Sequence, residues 1–235
     1  MNIGYKFYDT KKGLNMLKDG EKGVIRQRGT ENVTYAIAPH LPCGVVKPKQ
    51  LRKLADVAEK YKVAELKITS AARIAIIGIS EEDVDGVWKD LDMDPGFATG
   101  LCVRSIKVCP GIQYCRLGQQ DSLKMGMELD QIYHGMVLPS KMKMGVSGCK
   151  IQCAENCIKD ISLYGTQKGW TLQIGGNGSA RPRLADILVE DLSFEAAREM
   201  VDQVVDYYRK NSKRERMGRM VDRLGLDTIK QALLG

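Results

Sequence analysis

VTYAIAPHLPCGVVKPKQLRKLADVAEKYKVAELKITSAARIAIIGISEEDVDGVWKDL, residues 33–91, is the stretch whose periodicity decides the fold. VTYAIAPH reads as a strand and LPCG as a turn. In the segment that follows, Leu51, Leu54, Ala58 and Tyr61 recur at helical spacing, and Pro48 suits a first helical turn, so an amphipathic helix is expected. AELKITSAARIAIIGI then places β-branched residues at alternate positions, as a strand pair would. Ser80 is the expected cap of a second helix that buries Val84, Val87, Trp88 and Leu91.

Strand, helix, strand pair, helix is the pattern of a ferredoxin-like α/β sandwich, an antiparallel or mixed sheet covered by helices on one face. Working outward, residues 1–32 are polar and Gly-rich and read as an N-terminal arm, the sandwich spans 33–95, and DMDPGFATG (92–100) marks its boundary. Residues 96–235 are expected to form a second, mixed α/β domain, so the whole is α+β. It should hold a helix from Pro110 to about Tyr133, a strand KMKMGVSG, a short helix at Cys149–Cys153 and a hairpin ISLYGTQKGWTLQIGGN. A helix capped by Ser193 follows, with Phe194, Ala197, Val201, Val204 and Tyr208 on one face, and short helices close the chain.

The 235 residues are enough for a sizeable core, with 43% hydrophobic and 28% charged residues. No run approaches the roughly 18–20 apolar residues of a membrane span, and the N-terminus has no secretory pattern, so a cytoplasmic protein without a membrane partner is expected. The net charge of +7 gathers partly in YRKNSKRERMGRMVDR (208–223), which reads as a solvated helical face. Net charge this unspecific fits an anionic substrate, a polycarboxylate cofactor or an acidic electron donor better than nucleic acid, which is not expected.

Five of the seven cysteines fall in two tight groups, Cys109-Pro-Gly-Ile-Gln-Tyr-Cys115 and Cys149-Lys-Ile-Gln-Cys153, with Cys157 just beyond. Grouping of this kind suits a metal site better than a disulfide framework. Four thiolates can close a [4Fe-4S] cubane or a tetrahedral zinc site, and the C-x5-C spacing favours iron–sulfur because zinc clips commonly use shorter loops. Helix N-termini beside both groups would stabilise the thiolates. Cys157 reads as a spare ligand or a buried small hydrophobe, and Cys43 and Cys102 as core residues. Lys141 and Lys143, two apart on a strand just before the second group, would share a face and could hold an oxyanion.

C-x5-C followed by C-x3-C, together with LPSKMK (138–143), IGGNGSARPR (174–183) and the TSAARIAIIGI strand, resembles the siroheme-dependent sulfite and nitrite reductases from about Pro42 to Arg223, in a small single-repeat form. The resemblance implies that Cys109, Cys115, Cys149 and Cys153 hold a [4Fe-4S] cluster and that Cys153 is also the axial ligand of siroheme. It implies that Lys141 and Lys143 meet the substrate. The family's strand arginine falls at Ala71; this chain carries Arg73 instead, on the same strand face and about 7 Å further along. Arg104, Lys107, Arg116, Lys150, Arg181 and Arg183 are candidates for the siroheme carboxylates. The implied activity is six-electron reduction of sulfite to sulfide, with nitrite reduction to ammonia as the near alternative and a non-catalytic iron–sulfur carrier or nucleic-acid-binding protein as the remaining ones. Lacking a dinucleotide or flavin fingerprint, the chain should take electrons from an acidic donor such as a ferredoxin. A two-fold homodimer or higher oligomer would replace the second repeat that longer members carry.

Overall fold

Residues 16–28 and 33–235 are described in the computed structural model, which contains two sheets, each with its own helices and core. The first is antiparallel, in the order β1-β2-β4-β3, from β1 (Val24–Arg26), β2 (Tyr35–Ile37), β3 (Glu65–Ile68) and β4 (Ile74–Ile79). Helix α1 (Pro48–Lys60) follows β2, and α2 (Val84–Leu91) follows β4. Leu54 and Val57 of α1 pack with Val84, Val87 and Leu91 of α2 against Tyr35, Ile37, Ile76 and Ile79. Here the ferredoxin-like pattern is realised.

Three details differ from the sequence expectation. The sheet starts before Val33, because Val24, Ile25 and Arg26 pair with Ile37, Ala36 and Tyr35; residues 1–15 and 29–32 of the expected arm lie outside the described residues. Leu51 is exposed, so the buried stripe of α1 is Leu54, Val57 and, in part, Tyr61. Ser80 does not cap α2: its hydroxyl donates to the Asp83 carboxylate at 2.6 Å, and one short 3-10 turn, Glu81–Asp83, precedes the helix.

The second sheet runs β5-β6-β7-β8-β9, from β5 (Lys107–Val108), β6 (Met144–Ser147), β7 (Ile161–Thr166), β8 (Gly169–Ile174) and β9 (Asp186–Leu192). β5, β6 and β7 are parallel, while β7–β8 is the expected hairpin and β8–β9 is antiparallel. All four residues of β6 are buried, as expected of an inner strand of a parallel set. Helix α3 (Ser122–Tyr133) is the crossover between β5 and β6, and α4 (Phe194–Asn211), α5 (Met217–Leu224) and α6 (Leu226–Leu234) complete the chain. Ser193 caps α4, its hydroxyl accepting the Ala196 N–H at 3.1 Å.

The helix expected from Pro110 begins only at Ser122, and Cys149–Cys153 forms turns instead of a helix. Pro110 permits a helix start but does not require one, and the first cysteine loop closes on itself, Ile112 N–H donating to Gln120 O, before Gln119 and Gln120 donate to Gly148 O of the second. The two halves meet where Gly96 N–H donates to Ala38 O at 2.8 Å and Arg73 donates to Gly96 O at 2.9 Å and Ser105 Oγ at 3.2 Å. His40 closes the same seam by bonding Asp130 of α3 through Nε2 at 2.8 Å.

Candidate active site

The parallel register pairs Lys107 with Gly145 and Val108 with Val146, so Cys109 leaves the end of β5 beside Ser147 at the end of β6. Both cysteine loops therefore rise from neighbouring strand ends. Gly148 N–H donates to Cys109 Sγ at 3.1 Å, and Gly148 O accepts the N–H groups of Gln119 and Gln120 at 2.7 and 3.1 Å. A side chain at Gly148 would put its Cβ 2.8 Å from Gly111 Cα, and one at Gly111, where φ is +65°, would stand 2.3 Å from Ser122 Oγ. Backbone packs on backbone here because neither residue has a Cβ. Ser122, at the start of α3, also places its hydroxyl 3.4 Å from Cys109 Sγ.

The second loop is tied down from beneath. Ser147 Oγ lies 2.5 Å from Asn156 Oδ1 and accepts the Ala154 N–H at 3.0 Å, and Asn156 Nδ2 donates to Leu163 O at 2.7 Å. Ser147 and Asn156 are fully buried, so this network fixes the turn from Cys149 to Glu155 in one conformation. Cys109, Cys115 and Cys149 are half-buried and Cys153 is exposed; all are free thiols. Among the described residues no three His, Cys, Asp or Glu side chains are grouped to hold a single metal ion. A multi-iron cluster asks for something else, one thiolate per iron spread around a cage, with N–H donors to sulfur. Four thiols on two interlocked loops, one already receiving a backbone N–H, fit that donor set. Burial pushes the Cys43 thiol up to about 12 and raises that of Cys102, which suits their place in the core.

Lys141 and Lys143 alternate with buried Met142 and Met144, so their side chains leave the same side of the segment entering β6. Asp160, wholly buried, accepts the Lys143 N–H at 2.7 Å and takes a two-pronged bond from Arg216 Nε and Nη2 at 2.8 and 2.6 Å. Burial raises the Asp160 carboxyl and Arg216 opposes that rise. The Lys143 ammonium is lowered by partial burial first and then by the cations Lys159, Arg216 and Lys141.

The arginines and lysines singled out in the sequence have different surroundings. Arg73 is buried in the seam, and Arg104 donates to Phe97 O and Gly100 O at 2.7 and 2.8 Å. Lys107 bonds Glu155 at 2.7 Å, a carboxylate that Lys107 and Lys159 together hold down at about 2. Arg183 is shared between Asp186 and Asp222. Arg116, Lys150 and Arg181 are exposed and form no ion pair among the described residues.

A cavity of about 940 Å³ lies beside the segment entering β6, lined among others by Lys141, Arg181, Arg183, Arg214, Arg216 and Arg219. The last three belong to the stretch that reads in sequence as a solvated helical face. In the structure that helix ends at Asn211; Arg214 and Arg216 lie in the loop that follows and Arg219 on α5, and all three border the cavity. Only their density in KRERMGR hinted at a site. A second cavity, of about 580 Å³, has Cys149, Lys150 and Ile151 in its wall.

Thiolate-bearing loops, paired lysines and a basic cavity together describe a redox centre for an anionic ligand. The family models that match are "Nitrite/Sulfite reductase ferredoxin-like half domain" over residues 26–94 and "Nitrite and sulphite reductase 4Fe-4S domain" over residues 99–234. An assimilatory-type sulfite reductase of Nitratidesulfovibrio vulgaris is 42% identical over 220 residues, covering 93% of this chain and 100% of that protein. An NAD(P)H nitrite reductase of Bacillus subtilis is 37% identical over 229 residues, covering 97% of this chain but only 27% of its own length. Among solved structures, the NirA protein of Mycobacterium tuberculosis superposes with a TM-score of 0.80 at 19% identity, over 95% of this chain and 48% of that one. The chain belongs to the siroheme- and [4Fe-4S]-dependent sulfite and nitrite reductase family, and is an oxidoreductase. No helix among the described residues is long and apolar enough to cross a membrane.

Proposed function

We propose that this chain reduces sulfite to sulfide with six electrons; Cys109, Cys115, Cys149 and Cys153 would hold its cluster, and Cys153 would also be the thiolate offered to siroheme. The observation that carries the reading is the pair Lys141 and Lys143, set side by side at the entry to β6 next to the basic cavity. The relative matched along its whole length is named for sulfite, which favours sulfite over nitrite. When bound, the cofactor pair supplies electrons and a coordination site for the substrate's central atom.

The protein's own part is binding and proton supply. Lys141 and Lys143 neutralise the oxyanion and donate hydrogen bonds to its oxygens, interactions that strengthen as oxygen charge builds up toward departing water. Partial burial, and after it the cations around Lys143, lower its ammonium and bring it nearer to a working proton donor. Asp160 fixes the backbone from which Lys143 projects, and Arg216 keeps Asp160 in place. Arg116, Lys150 and Arg181 are free to meet carboxylates of siroheme; Arg73, Arg104, Lys107 and Arg183 already bond protein groups and would act by holding the walls of the site.

This reading places the protein in the cytoplasm, with an acidic, ferredoxin-like donor and a two-fold partner copy covering the macrocycle. The exposed Ile112, Tyr114, Leu117 and Ile151 around the cysteine loops, with Arg116 and Lys150 among them, suit a donor that is acidic at its rim. The deciding experiment is turnover by the anaerobically purified protein with a viologen donor and sulfite and nitrite in competition. Preference for sulfite in kcat/KM, beside a red-region chlorin band in the visible spectrum, supports the reading; preference for nitrite reverses the substrate, and a cluster-only spectrum removes the siroheme.

A further inference from the structure

We infer that Arg214 and Arg219, on the C-terminal loop and helix α5, form with Arg181 a binding face for the carboxylates of a polyanionic macrocycle; this rests on the siroheme reading above. Six cations line the cavity, and two of them are already spoken for: Arg183 by Asp186 and Asp222, and Arg216 by Asp160. Its two acids are neutralised as well, Glu215 by Arg223 and Asp222 by Arg183. Lys141, Arg181, Arg214 and Arg219 are left exposed and without an ion pair among the described residues.

Four uncompensated cations around one cavity repel each other and raise its potential, an arrangement that costs stability unless an anion completes it. A single small oxyanion would be served by one or two of them. A volume of about 940 Å³ is far larger than such an ion needs and falls in the range of cofactor pockets. The cavity is also placed correctly. Asn177 and Arg183 pair across the loop on its rim, and that loop packs on the segment just after Cys153: Ala185 N–H donates to Cys157 O at 2.8 Å, and a Cβ at Gly178 would stand 2.8 Å from Ile158 Cδ1. The cavity rim is thus built on the segment that follows Cys153, the thiol proposed to face siroheme. The buried Arg216–Asp160 pair anchors the loop carrying Arg214 to the base of β7, which keeps the face preformed.

The test uses holoprotein, wild type and R214Q/R219Q, with siroheme release on dilution followed by absorbance and cluster iron and sulfide assayed in parallel. The expected result is release about tenfold faster in the variant, with cluster content unchanged and a weaker salt dependence of release. Equal release rates overturn the inference. Equal release rates with a raised KM for sulfite overturn it in favour of a cavity for the free oxyanion. Wild-type protein purified with its cluster and no chlorin band overturns the siroheme reading itself, and this inference with it.

Discussion

The imidazole rings of His40 and His134 stack face to face, with centroids 3.4 Å apart and planes 11° from parallel, across the seam between the two halves. They are the only histidines in the chain. Asp130 holds His40, Phe97 meets His134 edge-on, and Arg73 is the nearby cation. Burial and then His40 keep the His134 pKa below its ordinary 6.5. Folded protein therefore binds fewer protons than unfolded chain as pH falls through about 6.5, so this contribution to stability is complete above that pH and lost on acidification. His134→Phe keeps a ring in the stack and removes the titration. Its melting temperature should fall less than the wild type's between pH 7.5 and 5.5, as measured by circular dichroism; an equal fall refutes the assignment.

Arg216→Ala would leave the Asp160 carboxylate buried without its partner, at a cost of about 3–5 kcal/mol. Denaturant unfolding should show the loss as a lower midpoint. Arg216→Lys, which keeps charge but not the two-pronged geometry, should recover only part of it. A loss below 1 kcal/mol in the alanine variant would mean that Asp160 takes up a proton instead.

Cys109→Ser or Cys149→Ser should abolish the cluster and with it siroheme binding, whereas Cys43→Ser should keep both, as read by iron, sulfide and visible absorbance. In metal-free protein at pH 8, an alkylating reagent followed by mass spectrometry should label exposed Cys153 quickly. Cys43, buried and raised to about 12, should stay unlabelled over the same period. Rapid labelling of Cys43 would show that the core opens around it.

Lys141→Ala and Lys143→Ala should each retain the chlorin spectrum and lose roughly 10²-fold or more in kcat for sulfite, the size of effect seen when a donor to a developing oxyanion is removed. Wild-type turnover in both variants would place these lysines outside the chemistry.

Gly148→Ala tests the interlock of the two loops. Its methyl group would stand 2.8 Å from Gly111 Cα and from Gln120 O, backbone that cannot swing away. Cluster content should drop well below half while far-ultraviolet circular dichroism stays native; full occupancy would show that the loops can separate.

Both helices of the first half and the hairpin of the second were legible in sequence, because Leu54, Val84, Val87 and Leu91, and the alternation along ISLYGT and GWTLQI, carry one-dimensional periodicity. The cysteine groups were legible through their spacing. Residues 110–121 were misread as helix because the loop folds back on itself, Ile112 N–H donating to Gln120 O, and its end is held by Gln119 and Gln120 donating to Gly148 O, a distant partner that local propensity cannot report. Asp160, Ser147 and Asn156 stayed invisible for the same reason. A polar residue buried in a network has the same letter as one on the surface. Arg214 and Arg219 were seen as charge but not as a wall of a cavity, since the break between α4 and α5 that brings them to one cavity leaves no periodic signal.

The parallel pairing of β5 with β6 has a consequence for folding. These strands can join only after α3 has crossed over between them, so the loop of Cys109 and the loop of Cys149 meet late, after a long-range closure. Once they meet, Gly111 and Gly148 pack backbone against backbone. The cysteine site is therefore long-range in the chain: it depends on the crossover through α3, and a change that loosens α3 would cost the site before it cost the β7–β8 hairpin, whose pairing is local.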